Sequence, residues 1–237
     1  MKILALECSA GPASVAIVEN NKVIGSSFIN VKLTHSQTLL PMVSDLLKAS
    51  QLDIGDIEGV AIAAGPGSFT GIRIGISVAK GIAAAKKLPC MPVSTLGAMA
   101  EMFRGQVGII CAVMDARCNQ LYNAIFEVNG DTITRICEDR ALMCDELKEE
   151  IKLLATKGKP IIVCGDGTDL FLKYTEDIDN VFPAPQHLKF QNAIGVAMCG
   201  ARALLNGDSV SPEKLLPVYL RLPQAERELK EKKGAIK

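Results

Sequence analysis

The segment at residues 65–75 contains the residue types best suited to bind an anion. It reads GPGSFTGIRIG, and its first three glycines and its hydroxyl residues are Gly65, Gly67, Ser68, Thr70 and Gly71. An apolar run at 60–64 precedes it and an Ala- and Ile-rich stretch follows it, so we expect it to join a buried strand to a helix. Free backbone N–H groups at a helix N-terminus favour a phosphate or another anion. The alternative is a structural turn in which Ser68 or Thr70 caps the helix.

The segment does not match the common templates for nucleotide binding or nucleophilic catalysis. A Walker A loop ends in Gly-Lys-Ser or Gly-Lys-Thr, whereas Ile72 follows Gly71 here. The last spacing is one residue too long for the dinucleotide fingerprint Gly-x-Gly-x-x-Gly. In a hydrolase elbow, glycines would stand where Pro66 and Thr70 flank Ser68. Anion binding and a structural turn therefore both remain open.

Two carboxylates, Glu7 and Asp115, follow predicted strands at equivalent places in the two halves of the chain. They could act as general bases or metal ligands; the alternative is that both are solvated in a cleft. Arg73 and Arg117 could pair with these carboxylates or with an anion. The two histidines are not spaced as a pair on one helix, and the eight cysteines form no Cys-x-x-Cys pair. No zinc site is therefore predicted.

Composition limits the classes of function. A chain of 237 residues forms one large domain or two small ones. Its formal net charge of zero argues against a non-specific nucleic-acid binder, and the lack of tryptophan argues against a base-stacking surface. No apolar run approaches the roughly 20 residues of a membrane span, and the first residues do not resemble a secretory signal. We expect a cytoplasmic protein without membrane contact.

The order of predicted elements repeats. A hairpin, a third strand, a helix, a strand and a helix occur twice, and an offset of 108 residues places Glu7 on Asp115. This predicts an α/β fold of two lobes, the duplicated ribonuclease H-like architecture of actin, sugar kinases and Hsp70. We place the N-terminal lobe at 1–105 and the C-terminal lobe at 106–222, whose last elements could pack back on the first lobe. Residues 223–237 form a charged tail, either a frayed helix or disordered chain.

Three segments resemble the bacterial TsaB (YeaZ-type, glycoprotease-like) family. They are residues 63–73, which contain the glycine-rich segment, residues 114–117 (MDAR) and residues 217–221 (PVYLR). The hairpin at 3–18 also fits, and the resemblance extends to about residue 222. One departure is Glu7, which stands where the family has an aspartate.

The resemblance implies a non-catalytic scaffold subunit of the complex that transfers threonylcarbamoyl to N6 of adenosine 37 in tRNAs that read ANN codons. The implied partners are a TsaD-type catalytic subunit and a TsaE-type ATPase, with tRNA contacted only through the complex and a homodimer when the chain is alone. No cofactor is expected in the isolated protein, since ATP, ADP and metal would bind the partner subunits. Glu7, Asp115 and the glycine-rich segment would be the remnant of a nucleotide site.

The resemblance also places the partner interface on the first lobe's two helices, predicted at 35–49 and 71–87. The residues assigned to it are Leu39, Leu40, Val43, Leu47, Ile72, Arg73, Ile76, Ala79, Ile82 and Ala83. The alternative function is an active ATPase or carbamoyl-type transferase of the same fold, in which Glu7 and Asp115 hold a metal nucleotide.

Overall fold

Two β-sheets, each covered by helices on both faces, form the part of the chain that the computed structural model describes, residues 1–221. The strands of the first sheet are β1 (Lys2–Glu7), β2 (Ala13–Glu19), β3 (Lys22–Ile29), β4 (Gly59–Gly65) and β5 (Cys90–Ser94). Their spatial order is β3-β2-β1-β4-β5, with β1 antiparallel to β2 and parallel to β4. Residue 222 and the predicted tail at 223–237 lie outside the described residues.

The second sheet repeats this plan with additions. Its strands are β6 (Val107–Asp115), β7 (Gln120–Asn129), β8 (Thr132–Arg135), β9 (Arg140–Met143), β10 (Ile161–Cys164) and β11 (Val181–Pro183). Their order is β11-β10-β6-β7-β8, and β9 pairs with β7 beyond the end of β8. The pairing of β6 with β7 and of β6 with β10 matches that of β1 with β2 and with β4. β11 lies parallel to β10 as β5 lies parallel to β4, so β9 is the strand that the first sheet lacks.

Seven α-helices are found among residues 1–221. They are α1 (His35–Ala49), α2 (Phe69–Lys86), α3 (Thr95–Glu101), α4 (Cys144–Ala155), α5 (Thr168–Leu172), α6 (Gln186–Lys189) and α7 (Ala193–Leu205). None of them is long and apolar enough to cross a membrane. The division proposed at residues 105 and 106 falls between α3 and β6.

The central strand β1 is buried on both faces. Leu4 and Leu6 pack in the cluster under α1 and α2, whereas Ile3 and Ala5 pack in the cluster under α7. A strand covered on both faces needs apolar residues at every position, which is why β1 shows no alternation of apolar and polar residues. Its C-terminal end, Glu7, is thereby carried into the interior of the protein.

Helix α7 follows the second lobe in sequence but packs on the first sheet. A Cβ atom at Gly195 would lie 2.0 Å from the carbonyl oxygen of Ala98 in α3, and one at Gly200 would lie 2.4 Å from the Cβ of Ala61 in β4. These glycines let the α7 backbone approach both its neighbours. Helix α7, the last α-helix within residues 1–221, thus covers the face of the first sheet opposite α1 and α2.

Candidate functional site

A cavity of about 460 Å³ lies between the lobes, at the ends of β1 and β6. Its walls are the turn after β1 (residues 9–11), the glycine-rich segment (66–69), the turn after β6 (114–117) and the chain at 218–221; Tyr122 and Asp166 complete it. Three of these walls were singled out from the sequence. The duplication therefore predicts correctly that the turns after the two first strands converge.

Ser68, not Thr70, caps α2. The Gly71 amide donates to Ser68 Oγ at 3.3 Å, and the Ser68 amide donates to the carbonyl oxygen of Ser9 at 2.6 Å. The glycine-rich segment is thus tied to the turn after β1 through its backbone. The Ser68 side chain therefore caps the first turn of α2, and serine is one of the residue types preferred at this position.

The first three glycines of the segment lie against carbonyl oxygens of this chain. A Cβ atom at Gly65 would lie 2.2 Å from the oxygen of Val218, one at Gly67 would lie 2.5 Å from that of Ser9, and one at Gly71 would lie 2.1 Å from that of Cys8. Gly65 and Gly67 also have φ angles of 131° and 155°, in the region that favours glycine. Because they lack a Cβ atom, these glycines allow backbone segments of the protein to approach each other closely.

Glu7 is buried rather than solvated. It is 1 % exposed, its Oε1 accepts a 2.6 Å hydrogen bond from the Ser9 amide, and its Oε2 has no partner. Burial raises the pKa of Glu7 from 4.5 to about 7; the hydrogen bond from the Ser9 amide opposes this rise, and the negative charge of Asp166 adds to it. The expectation of a solvated carboxylate was wrong for Glu7, because β1 ends inside the core.

Asp115, at the equivalent end of β6, is partly exposed and lines the cavity. Its Oδ1 accepts a 2.8 Å hydrogen bond from the Arg117 amide, and its Oδ2 lies 3.9 Å from the exposed Arg117 guanidinium. Arg73 pairs with neither carboxylate. Its guanidinium stacks 3.9 Å from the centre of the Phe69 ring and its Nε donates to the Tyr219 hydroxyl at 2.9 Å.

Sequence reasoning missed Asp166 and Gln191. Asp166 lines the cavity and accepts a 2.7 Å hydrogen bond from Gln191 Nε2. Burial raises the pKa of Asp166, and the bond from Gln191 opposes the rise. The signal available was an acid between two glycines, Gly165 and Gly167, directly after a buried strand. Gln191 carries no such signal, because the contact spans 25 residues of chain.

No three His, Cys, Asp or Glu side chains come together as a metal-binding group within residues 1–221. His35 Nε2 lies 2.8 Å from the carbonyl oxygen of Ala10, so the ring links α1 to the turn after β1. His187 is an exposed residue of α6.

Comparison with known proteins assigns the family. A family model described as TsaD, tRNA N6-adenosine threonylcarbamoyltransferase, matches residues 27–227. The tRNA threonylcarbamoyladenosine biosynthesis protein TsaB of Escherichia coli is 31% identical over 223 residues, which are 93% of this chain and 95% of that protein. The chain belongs to the TsaB family. The TsaB of Bacillus subtilis is 29% identical over 230 residues, 95% of this chain and 96% of the relative.

Solved structures agree with the TsaB assignment. YeaZ from Pseudomonas aeruginosa superposes with a TM-score of 0.78 at 26% identity, covering 92% of this chain and 99% of that one. The ROK hexokinase of Thermus thermophilus superposes with a TM-score of 0.50 at 8% identity, covering 86% of this chain and all of that one. The second likeness shows a shared fold alone. It confirms the predicted α/β fold of two lobes, similar to sugar kinases.

The interface assigned to this TsaB-family chain needs correction. Six of its ten residues are buried in the core between α1, α2 and the first sheet: Leu39, Val43, Ile72, Ile76, Ala79 and Ala83. They cannot contact a partner, because the apolar stripe at helical spacing faces the helix's own sheet. Leu47 and Ile82 are partly buried against the same core, which leaves Leu40 and Arg73 exposed. An interface at these four residues stays a prediction.

Proposed function

We propose that this chain is a non-catalytic subunit of the complex that transfers threonylcarbamoyl to N6 of adenosine 37 in tRNAs that read ANN codons. Its membership of the TsaB family over nearly its whole length supports the pathway, since its relatives are named tRNA threonylcarbamoyladenosine biosynthesis proteins. The match to a family model described as the threonylcarbamoyltransferase supports a shared ancestry with the catalytic subunit.

The packing of the glycine-rich segment carries the non-catalytic part of the proposal. A phosphate-binding loop presents N–H groups and leaves room for the anion above its glycines. Here the Ser68 amide donates to the Ser9 carbonyl oxygen and the Gly71 amide donates to Ser68 Oγ, so two N–H groups of the segment already have partners within the protein. Carbonyl oxygens of Val218, Ser9 and Cys8 also lie close to Gly65, Gly67 and Gly71. The segment is therefore better suited to holding the lobe together than to binding a nucleotide.

The catalytic partner would be a TsaD-type subunit that provides the nucleotide and metal sites, and a TsaE-type ATPase would join the pair. The isolated chain would need no cofactor, contact tRNA only through the complex, and work in the cytoplasm. We place the docking face at the four predicted interface residues that are not buried: Leu40, which is 54% exposed on α1, and Leu47, Arg73 and Ile82. Burying such side chains contributes about 25 cal/mol per Å².

A homodimer of this chain would use the same docking face and compete with the catalytic partner. An isologous dimer buries the same patch of both copies, so neither copy keeps the patch free for another protein. The homodimer would then be the resting form, which the catalytic subunit replaces.

Reconstitution tests the function. Transfer of threonylcarbamoyl to tRNA is measured with the TsaD-type and TsaE-type subunits, with and without this chain. We expect transfer to require the chain, and the chain alone to transfer nothing and to show no saturable heat of binding with Mg-ATP in calorimetry. Micromolar Mg-ATP binding that is lost in Glu7→Gln would instead support the alternative of an active enzyme.

A charge at Leu40 should prevent assembly. Leu40→Glu places a carboxylate in the proposed docking face, where burial without a partner is unfavourable. We expect at least a tenfold loss of affinity for the TsaD-type subunit and a monomer in light scattering, with an unchanged melting temperature. The matched control is Leu153→Glu on α4, where the native leucine is 71% exposed on the second lobe. Equal behaviour of the two variants would place the interface elsewhere.

A further inference from the structure

The chain at 216–221, here called the strap, crosses the cavity and contacts both lobes. On the first lobe, the Val218 amide donates to the carbonyl oxygen of Ala64 at 2.8 Å, and the Val218 carbonyl lies against Gly65. On the second lobe, the Arg221 guanidinium donates to the carbonyl oxygen of Ala116 in the turn after β6. Residues 218–221 therefore form one wall of the cavity and join its two sides.

A three-membered stack holds the middle of the strap. The Tyr219 ring stacks on Phe69, with ring centres 4.3 Å apart and planes inclined by 20°. The Arg73 guanidinium lies over the same Phe69 ring and donates to the Tyr219 hydroxyl. All three residues are at or near the protein surface, and Phe69 and Arg73 lie on successive turns of α2, four residues apart.

The strap lies at the protein surface, whereas the residues directly before it are anchored in the core of the first lobe. Leu215 is fully buried in the core of the first lobe, and Val210 forms an isolated β-bridge with Cys90. From residue 216 onward, Leu216, Val218 and Tyr219 are exposed. Releasing residues 216–221 would break the hydrogen bonds of Val218 and Arg221 and the stack of Tyr219 on Phe69, whereas Leu215 would stay buried.

We propose that the strap is a releasable latch over the cavity between the lobes, with Leu215 as its hinge point and the Phe69–Arg73–Tyr219 stack as its catch. In the seated state the strap closes one wall of the cavity and fixes the turn after β6 relative to the glycine-rich segment. In the released state that wall is absent and the cavity is open to a ligand.

Hydrogen exchange of the Val218 amide tests the latch. In the seated state this amide is bonded to Ala64, so it exchanges only when the strap opens. Tyr219→Ala removes the stack and the bond to Arg73, and we expect Val218 to exchange about tenfold faster or more, while amides of β4 keep their rates. Tyr219→Phe keeps the stack and loses only the hydroxyl, so a smaller increase of a few-fold is expected. Tyr174→Phe, on the second lobe, is the matched control and should change the exchange rate of neither the Val218 amide nor the β4 amides.

A tryptophan at the catch gives a second measurement. The chain contains no tryptophan, so Tyr219→Trp creates a single reporter that stacks on Phe69 when the strap is seated. We expect acrylamide, a neutral quencher, to reach this partly exposed ring less readily in Tyr219→Trp than after the addition of Phe69→Ala, which removes the stacking partner. The latch is refuted if Val218 exchanges only with global unfolding in every variant, or if it is unprotected in the native protein.

Discussion

Gly71→Ala should destabilise the protein by about 3 kcal/mol, at the upper end of the usual cost of overpacking. The added Cβ would lie 2.1 Å from the carbonyl oxygen of Cys8, and a backbone oxygen cannot rotate away as a side chain does. Helix α2 would have to move from the end of β1, at the centre of the first lobe. Urea denaturation and thermal melting measure the loss, which corresponds to a fall of about 10 °C in melting temperature for a chain of this size.

Gly81→Ala provides the matched control on the same helix. Gly81 is exposed, and an added Cβ would meet nothing within 4 Å. Because alanine is a better helix former than glycine, this variant should be more stable than the native protein by up to about 1 kcal/mol. If the two variants behaved alike, the close contact of α2 with Cys8 would not matter to stability.

Glu7→Gln should abolish a large part of the pH dependence of stability. The pKa of Glu7 is raised to about 7 in the folded protein, against 4.5 for the free side chain. The folded state therefore holds this proton more tightly than the unfolded state, so stability falls as pH rises from about 4.5 to about 7 and then levels off. Each pKa unit corresponds to about 1.4 kcal/mol, so the total loss is about 3 kcal/mol. Glutamine keeps the acceptor for the Ser9 amide and carries no charge.

Denaturation at pH 5, 6, 7 and 8 measures this effect as the difference in stability between the native protein and Glu7→Gln. The two proteins should be similar at pH 5, and the variant should be the more stable at pH 8. Glu176→Gln removes one carboxylate from an exposed position and should remain within about 0.5 kcal/mol of the native protein throughout. Parallel curves for the native protein and Glu7→Gln would show that Glu7 does not titrate in this range.

Local sequence pattern was sufficient to predict the long helices and strands. Helix α1 was predicted at its observed bounds, His35–Ala49, and the glycine-rich segment was correctly placed between a strand and a helix. The family resemblance placed the partner interface on α1 and α2. It did not show which residues of these helices face the sheet of the same chain, and six residues were assigned to the wrong side for that reason.

The remaining features depend on contacts between distant residues. Short α5 and α6 are held together by a Lys189–Asp169 ion pair and by the Gly165 amide, which donates to the Lys189 carbonyl. The strap depends on Arg73 and Tyr219, which are 146 residues apart. No window of local sequence contains either pair. The burial of Glu7 was missed because a strand's apolar pattern does not indicate how deep its last residue lies.

The return of α7 to the first sheet has a consequence for the order of folding during synthesis. When residues 1–105 have left the ribosome, the face of β1 and β4 that carries Ile3, Ala5 and Ala61 still lacks the helix that covers it. That helix, α7, is made only after the whole second sheet. The first lobe therefore completes its core last although it is translated first, and a fragment ending at residue 105 should expose this apolar face and aggregate.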